Sequence, residues 1–160
     1  MLLIIKAAFH QEAVVPPAKR QLKVATYNLH FESGEDYFFN LERLAGIIGE
    51  ENPDVVALQE VEVGRLDSQG VDMARWLGYR LGIYVYTYTA EGDHHLMGNA
   101  ILSRYPVVVH GYDMPSQRQQ RTLVHAVIEV DEGLAFDFFC VHVGLDSYDQ
   151  EVRWPFYAHA

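Results

Sequence analysis

Three polar residues end predicted strands of the sequence, and their chemistry suits phosphate esters. Glu60 follows the apolar run 55–58, Asn28 ends a run that starts at Leu22, and His142 ends the last apolar run. An acid at the carboxyl end of a buried strand lies where open α/β sheets place their ligands. Mg²⁺ prefers one or two carboxylates together with water and substrate oxygens. The set is therefore suited to magnesium-assisted phosphoester hydrolysis.

Each of these residues also has a purely structural interpretation. Glu60 could cap a helix or pair with one of the twelve basic residues. Asn28 could satisfy backbone groups at a strand end, and His142 could be a core histidine with its ring nitrogens hydrogen-bonded. Only the joint occurrence of the three residues favours a functional site.

Signatures of other chemistries do not occur in the sequence. It contains no Gly-x-Ser-x-Gly turn, no Gly-x-x-x-x-Gly-Lys loop, no Gly-x-Gly-x-x-Gly and no Cys-x-x-Cys. Cys140 is the single cysteine and lies in an apolar run, so we expect a core residue and not a nucleophile. The eight histidines lack the paired spacing of zinc ligands, and His94-His95 is predicted to be a solvated loop pair.

The proposed site needs two neighbouring parallel strands to position it. Residues 22–30 alternate as a strand does, residues 41–50 have helical spacing, and residues 54–60 form an apolar strand. A strand–helix–strand unit of this length predicts two parallel strands. Because parallel strands end at the same edge of a sheet, Asn28 and Glu60 should converge if the two strands are neighbours.

The rest of the chain predicts a mixed sheet covered by helices, which is an α/β (α+β) architecture. Residues 1–20, closed by Pro16-Pro17, are predicted to be an N-terminal extension, and residues 21–160 the folded unit. The further elements are an N-cap at Asp36, a helix at 69–77 followed by Gly78, strands at 82–89, 99–102, 107–110, 123–130 and 134–143, a loop at 111–120 and a hairpin at 131–133.

Composition narrows the class of partner. A chain of 160 residues that is 49% apolar is long enough to bury one core. The net charge of −10 argues against tight, unaided nucleic-acid binding, although a bound divalent cation would still admit a phosphate-bearing substrate. No apolar run has transmembrane length, and the start lacks the features of a secretion signal. A cytoplasmic protein is therefore predicted.

Four blocks occur in order along the chain: Thr26–His30, Val56–Val61, Gly98–Pro106 and Val141–Leu145. They resemble the successive motifs of the endonuclease/exonuclease/phosphatase (DNase I-like) superfamily. The resemblance covers residues from about 22 to 150. It implies a sandwich of two sheets with helices outside. About one half of that architecture is expected here, as roughly one sheet with its helices.

The resemblance also implies roles for particular residues. Glu60 would ligate the catalytic Mg²⁺, with Mn²⁺ as the alternative ion, and Asn28 would touch the metal's shell or the phosphate. His142 would contact the scissile phosphate or assist the leaving group; Val143 follows it where the family usually has leucine. Asn99 would border the cleft that binds the substrate. Arg121 looks similar to an arginine that holds a phosphate, although it could equally be a surface charge.

Two later motifs of the superfamily, Gly-Asp-x-Asn and Ser-Asp-His, do not occur in this sequence. In the family they supply an aspartate that orients the attacking water and a histidine at the phosphate. We therefore predict a Mg²⁺-dependent phosphodiester or phosphomonoester hydrolase that is weak or inactive as this chain. The alternative is a non-catalytic binding or assembly module that keeps the scaffold. If the second sheet is missing, the apolar face that it would cover is exposed, and this exposure predicts self-association.

Overall fold

A computed structural model describes residues 21–29, 41–65, 70–89, 96–116 and 121–143. The predicted extension at 1–20, the N-cap at Asp36, the loop pair His94-His95 and the residues beyond Val143 lie outside this part of the chain. The described elements are β1 (Val24–Asn28), α1 (Leu41–Glu51), β2 (Val55–Glu62), α2 (Met73–Leu81), β3 (Tyr84–Thr89), β4 (Met97–Ser103), β5 (Val107–Met114), β6 (Arg121–Asp131) and β7 (Leu134–Val141). Neither described helix is long and apolar enough to span a membrane.

The first sheet has the strand order β1-β2-β4-β3. Strands β1 and β2 are parallel neighbours, with Val24 opposite Val55 and Asn28 opposite Gln59. This arrangement confirms the adjacency on which the convergence of Asn28 and Glu60 depends. Strand β4 then pairs antiparallel with both β2 and β3.

The apolar run in β2 reflects cover on both of its faces. Val56 and Leu58 pack with α1 and α2 in one core, whereas Val55 and Ala57 pack in a second core on the opposite face. Because successive side chains of a strand point to opposite faces, a strand covered on both sides has no position for an exposed polar residue.

The second core lies between two sheets. Strands β5, β6 and β7 form a separate antiparallel sheet, whose Val124 and Ala126 pack in the same core as Ala57 and Ile101. The expected half of the two-sheet architecture is confirmed, but it consists of part of each sheet and not of one whole sheet. Tyr105, which follows β4 where the chain leaves the first sheet, has its side chain buried in this core.

Helix α2 differs from its predicted bounds of 69–77. Asp72 caps its start by accepting a hydrogen bond from the Arg75 backbone N–H at 3.0 Å, and Gly82 caps its end with a φ of 65°. Gly78 was expected after the helix but lies inside it. A Cβ at this position would be 2.9 Å from Val85 Cβ, so this glycine serves close packing and not termination.

Strand β5 continues to Met114, so the loop predicted from Gly111 was wrong for residues 111–114. A Cβ on Gly111 would lie 2.1 Å from the Tyr88 ring. The glycine therefore marks a close approach between the sheets, and Tyr86 and Tyr88 pack against the core between them. The predicted hairpin between β6 and β7 is present, with Gly133 at a φ of 75°.

Candidate active site

Glu60 lies on a β-bulge. The pairing of β2 with β4 shifts between Leu58 and Val61, so that Gln59 and Glu60 together face Asn99 alone. The backbone of Glu60 adopts a φ of 55°. A residue with a Cβ pays about 1–2 kcal/mol for this left-handed conformation. Bulges redirect side chains beside active sites, and strained non-glycine residues cluster there.

The bulge brings Glu60 to Asn28, as the parallel strands predicted. Asn28 Nδ2 donates a hydrogen bond to Glu60 Oε1 at 3.0 Å. The side chain of Glu60 remains 21% exposed, so its carboxylate is accessible to an ion from solvent. An amide donor that holds one carboxylate oxygen orients the carboxylate.

Gln59 is a supporting residue to which the sequence analysis assigned no role. Its Nε2 lies 3.1 Å from Thr26 Oγ1 on β1 and 3.5 Å from Cys140 Sγ on β7. The side chain therefore ties the bulge to one strand of each sheet. The signal was present in the sequence, since Thr26 and Gln59 belong to the same blocks as Asn28 and Glu60.

Cys140 is a core residue, as predicted. Its side chain is buried, and its Sγ donates to the Leu58 carbonyl at 3.3 Å. Burial raises the pKa of the thiol from 9.0 to about 11. A neutral thiol is a poor nucleophile.

The raised pKa predicts two properties of Cys140. A thiol reagent should label it only as fast as the protein opens, with a rate that rises in denaturant. Because the folded thiol holds its proton above the pKa of the unfolded one, its contribution to stability is complete below pH 9.0 and is lost as the pH rises towards about 11. Rapid labelling of the native protein at neutral pH would contradict this description.

His142 and Arg121 extend the site onto the second sheet. His142 Nε2 lies 3.5 Å from Glu60 Oε1, and His142 Nδ1 lies 3.0 Å from Arg121 Nη1. Arg121 begins β6, and His142 follows β7, which is its hydrogen-bonded neighbour. Four strands, β1, β2, β6 and β7, therefore bring Asn28, Glu60, Arg121 and His142 into one continuous group.

Asn99 takes a different position from these four residues. Its side chain is 1% exposed, and its Nδ2 donates to Thr122 O at 2.7 Å and to Thr122 Oγ1 at 2.9 Å. Its Oδ1 has no hydrogen-bond partner within the described part of the chain. The structure thus shows Asn99 connecting β4 to β6. A direct contact with substrate stays a prediction.

A sequence profile of the Endonuclease/Exonuclease/phosphatase family matches residues 25–159. The chain belongs to this family. The match includes the strands that carry Asn28, Glu60, Arg121 and His142. Cleavage of phosphate esters is thus the chemistry of its relatives.

Solved structures of the family share this fold. The endonuclease/exonuclease/phosphatase from Beutenbergia cavernae has a TM-score of 0.65 at 22% identity over 84% of this chain and 42% of its own. Humanized D. rerio TDP2 has a TM-score of 0.63 at 15% identity over 86% of this chain and 53% of its own. ANGEL2, described as a 2′,3′-cyclic phosphatase, has a TM-score of 0.62 at 14% identity over 78% of this chain and 42% of its own. This chain therefore spans about half the length of these family members.

The Glu60 carboxylate is the kind of oxygen ligand that a hydrated divalent ion accepts. No group of three or more His, Cys, Asp or Glu side chains that could hold a metal exists among the described residues. Glu60 supplies one carboxylate, held by Asn28 and partly open to solvent. Mg²⁺ typically binds to proteins through one or two carboxylates and completes its shell with water and substrate phosphate. The site therefore fits this family's divalent ion.

Proposed function

We propose that Asn28, Glu60 and His142 form the active site of a Mg²⁺-dependent phosphoester hydrolase. The observation that carries this proposal is the bulge of β2, where a strained backbone directs the Glu60 carboxylate to Asn28 and His142. A merely structural acid at a strand end has no need of a left-handed backbone, which lowers stability. Strain at Glu60, inside the matched family, therefore favours a functional role over the structural alternatives.

Each side chain has a role that follows from its geometry. Glu60 holds the ion through its carboxylate, with Mn²⁺ as the alternative ion, and Asn28 orients that carboxylate by donating to Oε1. His142 Nε2 lies beside the Glu60 carboxylate and can donate a hydrogen bond to a phosphate oxygen. Bound Mg²⁺ would polarise the phosphoryl oxygens and offset the charge that develops during cleavage.

The proposed substrate is a small or lipid phosphodiester or phosphomonoester. With a net charge of −10, the chain would repel a long polyanion unless cations intervened, so nucleic acid is not the favoured substrate. The description of ANGEL2 as a 2′,3′-cyclic phosphatase supports the phosphodiester branch of this class.

We further propose that this chain alone is a weak or inactive hydrolase. Hydrolysis needs a group that positions the attacking water, in addition to the metal ligand. The two family motifs that would supply such groups do not occur in this sequence. The described carboxylate and imidazole can hold an ion and a phosphate, but they leave the water without a dedicated base.

A hydrolysis assay on a chromogenic phosphodiester and the matching monoester tests this proposal. We expect at most slow, Mg²⁺-dependent release of product, which Glu60→Gln and His142→Ala abolish. His125→Ala is the matched control, because His125 pairs with Asp137 at 2.7 Å on the other face of the second sheet. Vigorous turnover would refute the claim of weak activity. The absence of both turnover and Mg²⁺ binding would favour the non-catalytic module.

Self-association is proposed through the outer face of β5–β7. The inner face, which was expected to be uncovered, packs against the first sheet, whereas Val108 and Phe139 on the outer face are 63% and 45% exposed. In sedimentation experiments we expect concentration-dependent association that Val108→Lys reduces. Tyr79→Lys, at an exposed aromatic residue of α2, is the control. A monomer at all concentrations would rule this proposal out.

A further inference from the structure

The contact between Arg121 and His142 constrains the histidine ring. Arg121 Nη1 lies 3.0 Å from His142 Nδ1. A guanidinium carries only N–H donors and has no acceptor, and it keeps its charge throughout the range in which proteins are folded. A hydrogen bond between these atoms therefore requires His142 Nδ1 to supply a lone pair. The ring hydrogen must then reside on Nε2.

We propose that Arg121 is a positioning residue that fixes His142 in the tautomer with its hydrogen on Nε2. This role rests on the proposed function, in which Nε2 faces the substrate phosphate. Since Nε2 lies 3.5 Å from Glu60 Oε1, the hydrogen is directed towards the corner formed by Asn28 and Glu60. His142 thus enters the site as a hydrogen-bond donor, and Arg121 acts through it.

The framework holds both partners in place for this contact. Strands β6 and β7 are paired, with Leu123 opposite Val141, so Arg121 and His142 emerge at the same end of one antiparallel pair. The residue after Arg121 is Thr122, whose carbonyl and hydroxyl oxygens both accept hydrogen bonds from Asn99. This buried amide anchors β6 at the point where the arginine leaves it, which gives Asn99 a role in the site without substrate contact.

Nitrogen NMR of the histidine rings tests the proposal on the full chain without any substrate. At about pH 9 ordinary imidazoles are neutral, so the ring nitrogen frequencies report the tautomer alone. We expect His142 to show a hydrogen on Nε2 and a bare Nδ1. His125 serves as the internal reference, because Asp137 holds its Nε2 on the other face of the sheet. A wild-type His142 with its hydrogen on Nδ1 would overturn the proposal.

Substitutions at Arg121 then invert or preserve the tautomer. Arg121→Glu replaces donors with acceptors and should place a hydrogen on His142 Nδ1, whereas Arg121→Lys should leave Nδ1 bare. Arg75→Glu makes the same charge change at an 81% exposed side chain of α2 and should change nothing. An unaltered tautomer in Arg121→Glu would contradict the assignment.

If amide spectra show that Arg121→Glu does not fold, Arg121→Ala decides between the two results. A mixture of both tautomers is expected, and a single unchanged tautomer would overturn the proposal. Because the tautomer is read without metal or substrate, failure of the proposed hydrolase function would appear separately, as missing Mg²⁺-dependent turnover.

Discussion

Glu60→Gln is expected to weaken Mg²⁺ binding by at least about 100-fold, since the loss of outer-shell partners alone typically costs 10–100-fold in metal affinity. The change removes the carboxylate charge but keeps the shape of the side chain. Isothermal titration calorimetry on both proteins measures the effect. Glu129→Gln, at an exposed acid of β6, makes the same charge change away from the site and should bind as the wild type does. Equal binding by Glu60→Gln and the wild type would remove Glu60 from the site.

The backbone at Glu60 allows stability to be separated from ion binding. Glycine adopts a φ of 55° without the steric cost that a Cβ imposes. We therefore expect Glu60→Gly to lose the ion but to keep its free energy of unfolding within about 1 kcal/mol of the wild type. Glu60→Val should lose about 2 kcal/mol, because a β-branched residue strongly disfavours the left-handed region. Equal urea unfolding curves for the two variants would argue against the bulge.

Among the described glycines, Gly98 is the position at which we expect a substitution by alanine to be most damaging. An added Cβ would lie 1.9 Å from the backbone oxygen of Tyr88 and 2.8 Å from Thr89 Cα. Both atoms belong to the backbone of β3, which pairs with β4 and cannot move aside alone. Overpacking typically costs 1–3 kcal/mol, so we expect a loss of about 3 kcal/mol from a typical total of 5–15.

The control for Gly98→Ala is the same substitution at Gly46. Gly46 lies inside α1, and nothing is within 4 Å of the position that its Cβ would occupy. Alanine should therefore raise the free energy of unfolding by about 1 kcal/mol through helix propensity. Urea unfolding measures both variants. If Gly98→Ala were as stable as the wild type, the described close approach of β3 to β4 at Gly98 would be refuted.

The sequence predicted the part of the site that depends on local pattern. The helical spacing at 41–50 and the apolar run before Glu60 identified a strand–helix–strand unit, and parallel strands necessarily end at one edge. Asn28 and Glu60 converge for that reason. The burial of Cys140 likewise follows from its apolar surroundings.

The bulge and the division into two sheets could not be predicted in the same way. A left-handed backbone is normally signalled by glycine, and position 60 is a glutamate. Tyr105, where the chain leaves the first sheet, is buried in a core that contains residues of distant strands. Gly78 and Gly111 resemble ends of elements in sequence, but they allow Val85 and Tyr88 to pack closely. Such contacts between distant residues leave no local period in the sequence.

The most direct test of the central claim uses Mn²⁺ as a paramagnetic substitute for Mg²⁺. At substoichiometric Mn²⁺, the side-chain NMR signals of Asn28 and His142 should broaden first, those of His125 should stay sharp, and excess Mg²⁺ should reverse the broadening. This result would place the ion at the corner that Glu60 forms with Asn28. Broadening centred elsewhere on the acidic surface, or none at Asn28 and His142, would contradict the account.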